Sequence, residues 1–232
     1  MFKKIEQWFF PYICCLCEQY SKNYQDLCQA CKDLLPWVSD RCYRCGSRLR
    51  EDSITSYVCR WCEDRTFYYD RLMCVFDYLP PIIQLISGFK YGNNLVYGRI
   101  LGKLLAEACK NGYQNTPLPQ AIIPVPLHIK RLRKRGFNQS FELAKPVSEC
   151  LNIPIRYKAC QRHKNTLPQA GLNAYQRQQN LKQAFLMLEN VSYEHIAIVD
   201  DIVTTGSTVN ALSKCLKEAG IGKIDIWCIS RQ

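Results

Sequence analysis

Four Cys-x-x-Cys pairs, all between Cys14 and Cys62, constrain this 232-residue chain more than any other feature. Cys14/Cys17 is followed after ten residues by Cys28/Cys31, and Cys42/Cys45 after thirteen by Cys59/Cys62. Two residues between ligands let both thiolates of a tight knuckle face one metal. Two knuckles complete a tetrahedral four-thiolate site that leaves no coordination position open for chemistry. The pattern therefore predicts two structural zinc sites. Sequential pairing closes the shorter loops, and a crossed pairing of Cys14/Cys17 with Cys42/Cys45 stays open. Redox chemistry explains one such pair better than four. Metal binding worth on the order of 10 kcal/mol or more organises a segment otherwise short of apolar core.

The other seven of the fifteen cysteines are scattered, mostly in apolar segments. Their odd total and uneven distribution, with no secretory leader, point to a reducing cytoplasm rather than a disulfide scaffold. Lys3 and Lys4 precede an apolar run at Trp8 to Phe10, but Pro11 interrupts it and no small-residue cleavage site follows. Met1, Ile5, Trp8 and Phe9 share one helical face, expected to pack on the protein rather than lie on a membrane surface. No apolar run approaches the ~20 residues of a membrane span. The formal charge of +11 falls to roughly +7 once eight thiolates hold two zinc ions. The chain stays basic, which favours acidic partners: phosphorylated small molecules, nucleic acid or an anionic membrane surface.

Composition changes after Cys62, dividing the chain into residues 1–65 and 66–232. Leu72 to Leu79 reads as a strand, Ile82 to Phe89 as a short helix ending near Gly92, and Leu101, Leu104, Leu105 and Ala108 as the stripe of a longer helix. Ala121 to Val125 is a short apolar strand. Asn138 suits the N-cap of a helix that Pro146 should kink or shorten. Ile153, Ile155 and Tyr157 alternate like a strand, and Ile224 to Ile229 forms another. Apolar strands alternating with helices predict an α/β fold, a parallel sheet with crossover helices behind a small Cys-rich domain.

The most informative segment runs from His195 to Thr208. Ile196 to Val199 has the β-branched pattern of a buried strand, and Asp200 and Asp201 follow at its carboxyl end. A hydroxyl-rich loop comes next (Thr204, Thr205, Gly206, Ser207, Thr208), then a helix with Val209, Leu212 and Leu216 on one face. A helix start offers unpaired N–H groups and the positive end of the dipole to an anion. The hydroxyls add donors, and Gly206 permits close backbone approach. Carboxylates would repel a phosphate but accept hydrogen bonds from ribose hydroxyls. An ordinary capped helix with two solvated acids explains the hydroxyls singly but not the whole run.

At these residues the chain resembles the 5-phosphoribosyl-1-pyrophosphate (PRPP) site of type I phosphoribosyltransferases. The resemblance gives Asp200 and Asp201 to the ribose hydroxyls and Thr204 to Thr208 to the 5′-phosphate. It also gives Val125, Pro126, Leu127 and Arg131 to the loop that holds pyrophosphate with Mg²⁺. That loop runs into five basic residues in six, from Lys130 to Arg135. Such a run is a solvated face more often than a site, but ligands gather at strand carboxyl ends. The polar stretch from Gln161 to Asn180 lies where that family carries a mobile catalytic loop, and reads equally as a polar connector.

Together with the paired cysteines, FKYG at Phe89 to Gly92, IPVPLH at Ile123 to His128, RLRKRGFNQ at Arg131 to Gln139 and LPQAGLNAYQRQQNLKQAF at Leu167 to Phe185, the chain is similar throughout to the ComF (ComFC/GntX) family. This resemblance implies a double zinc ribbon joined to a PRPP-binding domain. It implies a cytoplasmic role in natural transformation, with single-stranded DNA, a competence helicase and recombination mediators as partners, and association at the inner membrane surface. Two classes of activity follow. One is pentosyl transfer from PRPP to a nitrogen nucleophile. The other is a binding module in which PRPP is a structural or regulatory ligand, and Arg41, Tyr43, Arg44, Trp61 and residues 130–135 engage DNA.

Overall fold

Residues 12–21, 25–49, 57–163, 184–189 and 192–232 are described by the computed structural model. The stretch with Met1, Ile5, Trp8 and Phe9, and most of the polar stretch after His163, lie outside them. The elements in chain order are α1 (Gln29–Asp33), α2 (Arg60–Glu63), β1 (Arg71–Asp77), α3 (Ile82–Tyr91), α4 (Leu95–Gly112), β2 (Ala121–Pro124), α5 (Ile129–Arg135), α6 (Gln139–Leu151), β3 (Cys160–Arg162), β4 (Phe185–Met187), β5 (His195–Val203), α7 (Ser207–Glu218) and β6 (Lys223–Arg231).

Four strands form a parallel sheet in the order β1-β6-β5-β2, and β3 and β4 form a separate antiparallel pair. Strand alternation divides the core. Ala197, Val199, Trp227 and Ile229 join Phe89, Leu101, Leu105, Leu143 and Val147 from α3, α4 and α6. Ile196, Ile198, Ile226 and Cys228 join Val209, Leu212 and Leu216 of α7, with Phe185 of β4. Helices therefore cover both faces, which is why the strands read as continuous apolar runs. Each large side chain buried this way contributes roughly 1.5–3 kcal/mol.

Two local expectations are corrected. The helix containing Pro146 is not shortened: α6 continues to Leu151. The proline ring packs over Gly102 of α4, where a Cβ would lie 2.9 Å from Pro146 Cγ. That close helix–helix contact offsets an interior proline's cost of about 3 kcal/mol. The segment around Ile155 forms a single parallel bridge to Ile122 rather than a strand. Ile122 N donates to Pro154 O at 2.9 Å and Arg156 N to Ile122 O at 2.8 Å. Pro154 has no N–H with which to extend the ladder.

Candidate functional site

The cysteine pairs come together sequentially. Cys14, Cys17, Cys28 and Cys31 form one group and Cys42, Cys45, Cys59 and Cys62 the other, with the sulfurs of each group within 4.8 Å of one another. Cys17 Sγ lies 3.7 Å from Cys28 Sγ, and Cys45 Sγ 3.7 Å from Cys59 Sγ. A tetrahedral zinc with ~2.3 Å Zn–S bonds places its sulfurs about 3.8 Å apart, so both donor sets fit a closed structural zinc site. Backbone N–H groups aim at the sulfurs: Cys31 N at Cys28 Sγ, 3.4 Å, and Cys59 N at Cys42 Sγ, 3.2 Å. Such donors favour the thiolate a metal needs. Gly46 turns the second knuckle at φ +70°, close against Leu72 of β1.

Both groups are built into the rest of the molecule. Cys14, Leu27 and Leu35 share an apolar cluster with Phe76, Leu101 and Leu105. Asp26 pairs with Arg99 and Lys32 with Glu107 on α4. On the other side, Arg231 at the end of β6 donates from Nε to Cys45 O at 3.0 Å and from Nη1 to Val203 O at 3.2 Å. One guanidinium thus links the second knuckle to the end of β5.

The acidic doublet lies at that end, inside β5 rather than after it, because the strand continues to Val203. Asp201 is buried and forms an ion pair from Oδ2 to Lys90 Nζ of α3 at 2.8 Å, while its Oδ1 accepts from Ile202 N at 2.7 Å. Asp200 Oδ1 accepts from Ser140 Oγ, 3.0 Å, and from Asp201 N, 2.9 Å. Burial and the neighbouring Asp201 charge push the Asp200 carboxyl up to about 7, against the pull of Lys90 and the two hydrogen bonds. For Lys90, burial works to lower the pKa, but Asp201 and Asp200 outweigh it and the net direction is upward.

The raised Asp200 value has a stability consequence. The folded state holds this proton more tightly than the unfolded chain, so stability is lost as pH rises from the unfolded value near 4 through about 7. Asp200→Asn keeps an Oδ1 acceptor for both donors and removes the charge. Its melting temperature should exceed wild type by a few degrees at about pH 8 and converge with it near pH 4. Thermal denaturation at the two pH values checks this; a variant less stable at the alkaline pH counts against it.

Beyond Val203 the loop turns through Gly206 at φ +76°, which caps α7 without a side chain. Thr204 and Thr205 are exposed, and Ser207 and Thr208 occupy the first turn. Thr205 Oγ1 lies 2.7 Å from Ser207 Oγ. Asp200 and residues 202–209 line a small concavity here. Tyr68, just past the second knuckle, donates its N–H to Asn210 Oδ1 at 2.9 Å and so borders the same helix start.

The loop after β2 lies alongside, since Pro124 is in register with Val199 and Val125 N donates to Val199 O at 2.9 Å. Val125 and Pro126 are buried and Leu127 half-buried, so this loop presents backbone rather than side chains. Asn138 Nδ2 holds Val125 O at 3.1 Å while its Oδ1 caps α6. His128 caps α5, on which Arg131 is half-buried. Arg162 of β3 is 6% exposed, over the Phe185 ring. Burial and the Arg131 charge lower its pKa to about 10, with Asp200 opposing. Arg162 thus lies within electrostatic reach of both Asp200 and Arg131. The sequence marked neither Lys90 nor Arg162 as a site residue: one basic residue in a helix or polar stretch carries no periodic or spacing signal.

The aromatic and basic residues read as a DNA surface separate into two sets. Arg41 pairs with Asp77 and donates to Gly46 O at 3.1 Å, so it is a structural residue between knuckle and sheet. Tyr43, Arg44 and Trp61 are exposed, with Arg65 stacked 4.0 Å over the Trp61 ring. Lys130, Arg133 and Lys134 are exposed on α5.

Comparison with known proteins agrees with this architecture. Residues 5–64 match the double zinc ribbon domain family. Competence protein F of Haemophilus influenzae is 35% identical over 231 residues, covering 96% of this chain and 98% of that protein. DNA utilization protein YhgH of Escherichia coli K12 is 32% identical over 224 residues, covering 95% and 97%. Competence protein ComFC of Bacillus subtilis is 28% identical over 235 residues, covering 90% of each. With its sequence matched along nearly the full length of these relatives, the chain belongs to the ComF family.

Proposed function

We propose that this is a cytoplasmic PRPP-binding protein of natural transformation, acting in the uptake or handling of incoming single-stranded DNA. The observation that carries the sugar-phosphate half is the meeting of Asp200 with the hydroxyl loop and the start of α7, with Asp201 next to it in β5. The doublet accepts from ribose hydroxyls, the Thr204 to Thr208 loop receives the 5′-phosphate, and Arg131 with the backbone at Val125 to Leu127 receives pyrophosphate chelated by Mg²⁺. The names of the relatives, Competence protein F, ComFC and DNA utilization protein, support the transformation half. In this reading residues 1–65 are a zinc-organised module, residues 66–232 the ligand-binding domain, and exposed Tyr43, Arg44, Trp61 and α5 the surface for single-stranded DNA. A competence helicase and recombination mediators are its protein partners, at the inner membrane surface. Among the described residues no helix is long and apolar enough to cross a membrane.

A catalytic reading is favoured by Arg162, which lies within electrostatic reach of Asp200 and of Arg131. Cations there would stabilise pyrophosphate leaving the ribose C1 as a nitrogen nucleophile forms the new bond and gives up a proton. Calorimetry with PRPP and Mg²⁺ tests the site. Wild type is expected to bind, and Asp200→Asn/Asp201→Asn to lose about 100-fold or more in affinity while keeping salt-dependent binding to single-stranded DNA. No heat with wild type removes the sugar-phosphate reading. Pyrophosphate release across a panel of nucleobases and amines separates an enzyme from a binding module.

A further inference from the structure

We propose that Lys90 is the built-in counter-cation of the acidic doublet: its ammonium pairs with Asp201, so that a pentose phosphate binds there without a divalent ion on the carboxylates. The inference rests on the pentose-phosphate reading of this site and adds to it a positioning residue. Two adjacent carboxylates inside one strand need a nearby positive charge, a bound metal ion or a proton. Here the charge is supplied by the chain. Lys90 reaches Asp201 Oδ2 at 2.8 Å, with the two side chains only 18% and 10% exposed.

The ammonium is held firmly in place. Phe89, its neighbour on α3, is fully buried and stacks on Phe137 with ring centroids 5.2 Å apart. Gly92 N closes the helix end on Gly88 O at 2.9 Å. Lys90 is tethered to α3 and so stays within reach of the site, whereas a free metal ion can leave. Both oxygens of Asp201 are oriented, Oδ2 by Lys90 and Oδ1 by Ile202 N. Each keeps a lone pair for a sugar hydroxyl. The other groups facing the doublet are Ser140 on α6, Arg162 on β3 with Arg131 behind it on α5, and the Cys228 thiol on β6. Lys90 is in direct contact with a doublet carboxylate.

Ribose 5-phosphate is the probe, because it lacks the pyrophosphate that chelates metal. Titrated into the zinc-loaded full-length protein, it is expected to bind wild type with an affinity that changes less than about twofold when millimolar Mg²⁺ is added. Lys90→Met should bind it roughly tenfold more weakly without Mg²⁺ and regain part of that loss with it. Lys90→Arg should remain close to wild type and independent of Mg²⁺. A wild-type affinity that climbs severalfold with Mg²⁺ overturns the proposal, as does a Lys90→Met protein that binds like wild type. The wild-type measurement decides even where Lys90→Met does not fold. Mn²⁺ alone, followed by its spin-resonance signal, separates the two readings. If wild type ignores ribose 5-phosphate, the sugar site is lost. A Mn²⁺ site then present in Lys90→Met but not in wild type upholds the counter-cation role, and no new Mn²⁺ site, or one already in wild type, ends it.

Discussion

Complete removal of zinc is expected to unfold the region from Tyr12 to Cys62 before the sheet and to weaken the sugar-phosphate site with it. Structural zinc sites of this kind contribute apparent free energies of roughly 10–16 kcal/mol, comparable to the whole stability of a domain, about 5–15 kcal/mol. The described Cys-rich segments have only two short helices, α1 and α2, and no extended strand. Little besides metal opposes the entropy of their chain. The loss should spread along named contacts. Cys14, Leu27 and Leu35 leave the cluster they share with Phe76 and Leu101, and Arg231 loses its hydrogen bond to Cys45 O. Hydrogen exchange should show protection lost first before residue 62, next at β1, and last at β5 and β6. Near-ultraviolet dichroism should change as Trp37 and Trp61 lose their surroundings. An unaltered spectrum and exchange pattern after every zinc ion has been withdrawn would sink the structural-metal assignment.

The second large effect lies at the opposite end of the sheet. Asp225 is 1% exposed, and its Oδ2 accepts from Tyr113 OH and sits 3.0 Å from His195 Nε2; Trp227 Nε1 in turn donates to Tyr113 OH at 3.0 Å. Burial works to raise the Asp225 pKa, but the His195 and Tyr113 bonds outweigh it and the net shift is downward. The stabilisation is therefore present above the unfolded value near 4 and disappears as pH falls through the lower folded value. Asp225→Ala strands two polar groups in the interior and should cost about 3–5 kcal/mol at neutral pH. Asp225→Asn, which keeps an acceptor, should cost about 1–3 kcal/mol and flatten the acid limb. Urea denaturation measures both. An alanine variant within about 1 kcal/mol of wild type would show that the network contributes little.

What could be read from the chain, and what could not, follows from the range of the interactions. The knuckles, β5, β6, α4 and α7 were legible because ligand spacing and apolar period are local. The hydroxyl loop was legible because three threonines, a glycine and a serine sit consecutively around a helix start. Strand order was not, since β1 pairs with β6 from the far end of the chain. That the helix runs on past Pro146 was not legible, because Gly102, which packs against its ring, lies on another helix. Arg41 looked like a nucleic-acid contact until Asp77 was seen to hold it. Lys90 and Arg162 stayed hidden for the same reason: the partner of an isolated cation is decided by tertiary packing.

The place of β6 in the sheet also bears on how the chain acquires its shape during synthesis. Residues 223–231 occupy the slot between β1 and β5. Until these later-translated residues emerge, those two strands have nothing to bond with on facing edges roughly 10 Å apart. Both knuckle pairs, by contrast, are already translated and able to capture metal. Biogenesis should thus run in two stages, an early metal-closed portion waiting on a late, cooperative zipping of the sheet, and the interval between them is when the half-built molecule is most exposed to proteases and chaperones.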